Sequence, residues 1–198
     1  MTEPTTDKLF ISANTLLNDA FRLGQLILAS GFTPDILVAL WRGGTPVAIG
    51  IQELLGCAGV EHEHFVVKTR HYAGIDHRRD DILVDGLEPV LQAVRAKSRV
   101  LIVDDVFDTG LTLDKLLGVI ESCCDQAGPA IRIATPYFKP GNNRTGRKPD
   151  FYLHTTDRWI VFPHELAGLS AAEIRAGKPE LPVLAEMADC LAGSGGRP

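Results

Sequence analysis

The densest chemistry in this chain sits at the end of an apolar run. Val100-Leu101-Ile102-Val103 is followed by Asp104-Asp105, and Val106-Phe107 then separates these acids from Asp108-Thr109-Gly110-Leu111-Thr112. A strand ending in two carboxylates offers acceptors for sugar hydroxyls or ligands for a hard cation. The turn beyond it offers Asp108 as a third carboxylate and Gly110 for close backbone approach. The start of a helix adds exposed amides that favour phosphate. Helix capping accounts for one of the three acids. It does not account for Asp104 beside Asp105, where like charges repel unless something bridges them.

A second group follows another apolar run. Arg42-Gly43-Gly44 comes directly after Ile36-Leu37-Val38-Ala39-Leu40-Trp41. A guanidinium fork beside two glycines suits a diphosphate, although Gly-Gly is also common in ordinary turns. Histidines are less productive. His62-Glu63-His64 alternate on one strand face without an evident third zinc ligand. His164-Glu165 lacks the second histidine of a metalloprotease helix, and Lys115 stands where a calcium loop would need glutamate. Neither a Walker loop nor a dinucleotide fingerprint occurs.

These residues need a frame, and the pattern supplies an α/β one. Ser12 caps a helix carrying Leu16, Leu17, Phe21, Leu23 and Ile27, which stops at Gly31. Ile36 to Leu40 reads as a strand buried on both faces. Thr45 and Pro46 read as N-cap and first residue of a helix ending at Gly56. Strands are expected over 62–69, 99–104, 130–135 and 151–155, and helices within 87–97 and over 112–126. Alternating helix and strand argues for a mainly parallel sheet, which puts strand-end turns at one ligand-binding edge. Arg70 to Asp81 is polar and aperiodic and is expected to be a mobile loop. Ser170-Ala171-Ala172-Glu173 is a capping box, and a short helix is expected from Pro182 to Leu191.

The acidic turn resembles the phosphoribosyl pyrophosphate motif of the type I phosphoribosyltransferases and matches it without gaps. The resemblance spans roughly 36–165. It implies one phosphoribosyltransferase domain over 1–198, with a core about 36–165 and a small hood built from terminal segments. Asp104 and Asp105 are implied to address the ribose hydroxyls, directly or through magnesium. Asp108 to Thr112, including Thr109, Gly110 and Leu111, are implied to wrap the 5′-phosphate, with Asp108 as general base. Arg42, Gly43 and Gly44 become the pyrophosphate loop, with the Trp41–Arg42 peptide cis or otherwise strained, and the region 70–81 becomes a lid. Lys139, at the end of Ala134-Thr135-Pro136-Tyr137-Phe138, and Trp159-Ile160 with Glu165 resemble the xanthine–guanine and hypoxanthine–guanine branch. There the lysine donates to a 6-oxo group, the aromatic stacks on the purine, and the acid helps read the 2-substituent. His164 replaces the usual second tryptophan. The expected partners are phosphoribosyl pyrophosphate, a purine base and a second copy of the chain, with Mg2+ as cofactor.

Composition narrows the alternatives. The 198 residues carry a formal net charge of -5, so no global basic field exists to attract nucleic acid. Met1 to Asp7 lacks the cationic start and apolar core of a signal peptide, and no segment nears the ~20 apolar residues of a membrane span. The four cysteines show no metal spacing. A cytoplasmic location with reduced thiols is expected. Two rivals stand beside a purine-specific enzyme: a non-catalytic phosphoribosyl pyrophosphate sensor, and a phosphoribosyltransferase for another base.

Overall fold

The computed structural model describes residues 8–72, 81–95, 97–122, 128–184 and 186–187. The chain divides into two compact units. Leu17–Asp157 form one, while Met1–Leu16 and Arg158–Pro198 form the other.

The larger unit is built on a sheet that is parallel but for one strand. Its strands are β2 (Ile36–Trp41), β3 (Glu63–Tyr72), β4 (Asp81–Asp85), β5 (Arg99–Val103), β6 (Val106–Phe107), β7 (Ala130–Phe138) and β8 (Phe151–Thr155). From one edge the order runs β4, β3, β2, β5, β7, and β8 lies on the far side of β7. Among the described residues only β4 is antiparallel, and it pairs with β3. Ile36 through Leu40 are all buried, as a run of apolar residues covered on both faces requires. Helices α2 (Gly44–Cys57) and α4 (Leu111–Ser122) follow β2 and β6, while α3 (Glu88–Ala93) precedes β5. Leu113, Leu116, Leu117 and Ile120 of α4 enter one core with Val38, Leu40 and Ile102. Each such side chain contributes about 1.5–3 kcal/mol by leaving water.

The acidic turn interrupts a strand lane. Both β5 and β6 run parallel to β7, pairing at Val103↔Ala134 and again at Val106↔Tyr137. Asp104 and Asp105 fall in the gap. A two-residue strand carries no periodicity, so β6 is invisible to pattern reading.

Helix α1 (Ala13–Ala29) is capped at Ser12, whose Oγ accepts from the Thr15 amide at 3.0 Å. It carries an acid to its buried side. Asp19, 2% exposed, hydrogen-bonds His154 Nε2 of β8 at 2.9 Å. Burial, then the charge of Asp19, pushes the Tyr137 phenol up to about 12.

Several boundaries differ from the sequence reading. Residues 70–72 continue β3 and Asp81 opens β4, so the ends of the expected loop are ladder-paired backbone; residues 73–80 lie outside the described residues. Extended pairing wins there because each strand offers the other a complete row of backbone partners. Thr45 is not an N-cap, because α2 begins at Gly44, two residues before Pro46, and Gly43 holds the cap position. Helix α4 starts at Leu111. Pro182 to Leu184 are helical, and most of the remaining stretch to Leu191 lies outside the described residues.

In the smaller unit, β1 (Lys8–Phe10) pairs parallel with β9 (Trp159–Val161), setting Leu9 opposite Ile160. Both three-residue strands were missed in sequence. Helix α5 (Ala171–Gly177) has the complete capping box between Ser170 and Glu173. Lys8 Nζ joins it at 2.5 Å from Glu173 Oε1. Lys8, then the Ser170 amide and hydroxyl, lower the Glu173 carboxyl to about 2.

Candidate active site

The break between β5 and β6 creates an electrostatic problem. Asp104 is half-buried, and its amide reaches back to the Ala134 carbonyl at 3.2 Å. Its Oδ1 accepts the Asp105 amide at 3.0 Å, and the Gly44 amide donates to it as well. Two neutral donors do not offset removal from water. Burial first, and the charge of Asp105 second, raise the Asp104 carboxyl well above its ordinary value. Asp105 is itself 8% exposed.

The Arg42-Gly43-Gly44 turn is pressed against these acids. A Cβ on Gly43 would overlap the Asp105 carboxylate, and one on Gly44 would overlap the Val103 carbonyl. Glycine is therefore required at both positions by close approach. The Trp41–Arg42 peptide is cis. Arg42 itself is exposed. Nearby in sequence, the Thr45 hydroxyl is buried and among the described residues has no hydrogen-bond partner.

Beyond β6 the chain turns through Asp108 and Thr109 to Gly110, whose φ of 77° lies in the left-handed region. A Cβ there would stand 2.6 Å from the Phe107 ring and 2.8 Å from Thr145 Oγ1. Helix α4 then opens, with Asp114 N donating to Gly110 O at 2.9 Å. Thr109, Leu111 and Thr112 are half-buried around this helix start.

Asp108 meets residues that follow β7 in the chain. Lys139 Nζ approaches its Oδ2 at 3.3 Å, and Asn142 Nδ2 donates to its Oδ1 at 2.8 Å. Lys139 is 8% exposed, so Asp108 is the counter-charge of a nearly buried ammonium. The strand end is tightly bound: Lys139 N donates to Phe107 O at 2.9 Å, and Thr156 N to Phe138 O at 3.1 Å. The loop after it is tied down on two sides. Gly141 N donates to Asp157 Oδ1 at 2.9 Å, and Arg144 N to Thr109 O at 2.9 Å. Arg147 reaches Asp114 at 2.9 Å on α4.

In the smaller unit, Trp159 is 62% exposed while Ile160 is buried. Glu165 Oε2 accepts the Phe162 amide at 3.1 Å, so this carboxylate shapes its own turn. His164 stacks on Phe162 with ring centroids 5.6 Å apart. Lys178 is buried and donates to the Phe162 carbonyl at 2.6 Å and the Pro163 carbonyl at 3.3 Å. Burial lowers its ammonium below the usual lysine range.

The structure thus brings Gly43 against Asp105, Gly44 against Asp104, and Asp108 against Lys139; the Arg42 side chain is exposed. Sequence reasoning missed Asn142, Thr45 and Lys178. For Asn142 the signal was its place three residues after Lys139. Among the described residues no cluster of three or more metal-ligating side chains forms around His62 and His64.

The model of the phosphoribosyl transferase domain matches residues 12–169. The chain belongs to this family. Its fold is the type I phosphoribosyltransferase fold, with a parallel-dominated sheet flanked by helices. A purine phosphoribosyltransferase from Pyrococcus horikoshii is 29% identical, with 82% of this chain and 97% of that one covered and a TM-score of 0.66. A Neisseria gonorrhoeae protein solved with bound ppGpp is 21% identical, covering 93% of this chain and 98% of its own, with a TM-score of 0.67. The Helicobacter pylori xanthine-guanine-hypoxanthine enzyme is 20% identical over 78% of this chain and 92% of its own, with a TM-score of 0.59. No curated protein matches the sequence. Among the described residues no helix is long and apolar enough to cross a membrane.

Proposed function

We propose that this family member transfers the phosphoribosyl group of phosphoribosyl pyrophosphate to a 6-oxopurine, releasing pyrophosphate, as a cytoplasmic salvage enzyme acting as a homo-oligomer. The observation that carries this reading is the Asp108–Lys139 pair beside the acidic turn. It sets a proton acceptor next to a nearly buried donor with no acceptor of its own, the complement of a ring N–H beside a ring carbonyl. Likeness to the Pyrococcus horikoshii purine enzyme supports the choice of a purine.

The residues divide the work. Gly110, Leu111 and Thr112 present the start of α4 to the 5′-phosphate, with the Thr109 and Thr112 hydroxyls as donors. Arg42 and the amides of Gly43 and Gly44 hold the pyrophosphate, and the Thr45 hydroxyl, without a hydrogen-bond partner among the described residues, is a donor in reserve there. Asp104 and Asp105 accept from the ribose hydroxyls. Their chemistry also fits Mg2+, since a hard cation offsets two neighbouring carboxylates that the Asp105 and Gly44 amides do not. When bound, the ion supplies charge stabilisation for the leaving pyrophosphate. Asp108 takes the proton from the purine ring nitrogen. That N–H bond breaks with its electron pair left on nitrogen, and the pair forms the bond to the anomeric carbon. The bond from that carbon to pyrophosphate breaks, and both its electrons leave with pyrophosphate. Trp159 stacks on the purine, beside the Ile160 backbone. Glu165 acts mainly through the turn it holds.

Lys139 also sets the base preference. Facing a 6-amino group, it meets another donor and stays desolvated. A hydrogen bond to a charged group is worth roughly 1.5–3 kcal/mol, so discrimination against adenine of about tenfold to a few hundredfold is expected. The test compares kcat/KM for hypoxanthine, guanine, xanthine and adenine in the wild type and in Lys139→Ala. A wild-type preference for adenine, or a preference untouched by Lys139→Ala, overturns the assignment. A second reading, a binder at the same turn without turnover, is favoured by the Neisseria gonorrhoeae structure with ppGpp. Tight ppGpp or phosphoribosyl pyrophosphate binding with no nucleotide formed from any base would select it.

A further inference from the structure

Asn142 and Asn143 are neighbours in one loop, yet their side chains do different work. Asn143 builds the loop: its Oδ1 accepts from Thr145 N at 2.9 Å and its Nδ2 donates to Arg147 O at 2.8 Å. Among the described residues Asn142 spends its side chain on one hydrogen bond, to Asp108 Oδ1. Asn142 is exposed, so water could satisfy its amide as readily. The loop around it is held by backbone bonds to Thr109 and by Asp157, which fixes where Asn142 stands.

The two donors on Asp108 are unequal. The neutral Asn142 amide lies at 2.8 Å, while the Lys139 ammonium lies at 3.3 Å, long for a charge-assisted bond of about 2.7–2.9 Å. Under the functional reading above, on which this inference rests, Lys139 gives its proton bond to the 6-oxo group when the base arrives. Asp108 then loses one of its two holders at the moment it must meet the ring N–H.

We infer that Asn142 is a positioning residue for Asp108: it keeps the carboxylate aimed through Oδ1 while Lys139 hands its bond from Oδ2 to the base. The vacated Oδ2 is the oxygen that takes the proton. A freely rotating carboxylate would sample that aim only part of the time, and loss of alignment at a reacting atom costs rate more than substrate affinity.

The experiment measures steady-state kinetics of Asn142→Ala, Asn142→Asp and Asn142→Gln with hypoxanthine, guanine and 8-azaguanine. Asn142→Ala is expected to lower kcat about tenfold or more, the worth of one hydrogen bond to a charged group, with KM for phosphoribosyl pyrophosphate within about twofold. Asn142→Asp, isosteric but with an acceptor facing Asp108, should lose at least as much. Asn142→Gln should recover part of the rate. The deficit should shrink with 8-azaguanine, whose more acidic ring N–H needs less help from a base; a merely structural defect would hit every substrate equally. Wild-type kcat in both Asn142→Ala and Asn142→Asp overturns the inference and leaves the functional reading standing. So does a loss confined to the KM of phosphoribosyl pyrophosphate, or one equal for 8-azaguanine. A wild-type protein that forms no nucleotide from any of these bases removes the functional reading and the inference together.

Discussion

The turn from Asp104 to Thr112 and the segment from Trp159 to Glu165 are both proposed to bind substrate, yet they are built on opposite principles. In the first, polar groups are left in tension: half-buried Asp104 stands beside buried Asp105, and among the described residues the Thr45 hydroxyl has no hydrogen-bond partner. In the second, the charged side chains are matched by backbone groups. Glu165 takes the Phe162 amide, Lys178 takes the Phe162 and Pro163 carbonyls, and His164 lies flat on Phe162. Only Trp159 stands out, 62% exposed. A site for charge must hold charge ready, and that costs stability until the ligand arrives. A site that offers one ring face and some backbone can be quiet in the free protein.

This contrast can be tested in three ways. The largest effect belongs to Asp108→Asn, expected to keep phosphoribosyl pyrophosphate binding but lower kcat by about 10²–10⁴-fold, as loss of a general base does. Isothermal titration alongside turnover separates the two; near wild-type turnover would place the proton acceptor elsewhere. Next is Trp159→Ala. Base–aromatic stacking is worth roughly 1–3 kcal/mol, so KM for the base should rise about 5- to 150-fold while affinity for phosphoribosyl pyrophosphate holds. Unchanged KM for the base would remove Trp159 from the site.

The smallest effect concerns stability. A carboxyl raised in the folded state binds its proton more tightly there than in the unfolded chain. The free protein therefore loses stability as pH climbs from about 3.8 toward the folded value. Asp104→Asn removes that cost and should raise Tm at pH 7. Wild type, but not the mutant, should gain Tm from magnesium with phosphoribosyl pyrophosphate. A mutant less stable than wild type at pH 7 would show the acid pair to be structural.

The same contrast explains what could be read in the sequence. Asp104 and Asp105 were legible because acids at the end of a buried strand break the ordinary burial rule. The doubly covered strand at Ile36 was legible from its run of apolar residues. Strands β1, β6 and β9 were not, since two or three residues carry no period. Thr45 before Pro46 offers good capping chemistry, but the close fit of Gly44 against Val103 begins the helix earlier. Asn142 was hidden by its type: asparagine beside glycine reads as a turn, and nothing local tells that its amide crosses to a residue 34 positions earlier. Lys178 was hidden because a lysine is presumed exposed.

Strand β6 makes the acidic turn a bracket rather than a free end. The lane is fastened to β7 at Val103 and again at Val106, and the following helix is fastened at Leu113 and Leu116 in the core. Between these anchors the chain has no slack. A residue inserted after Asp105 could not be absorbed by bulging outward; it would shift either the lane or the helix by one position. The loop from Lys139 to Pro149, pinned mainly through individual bonds, has more room to change length. Variation in this molecule should therefore enter through that loop, with the spacing of Asp104, Asp108 and Thr112 kept as a fixed ruler.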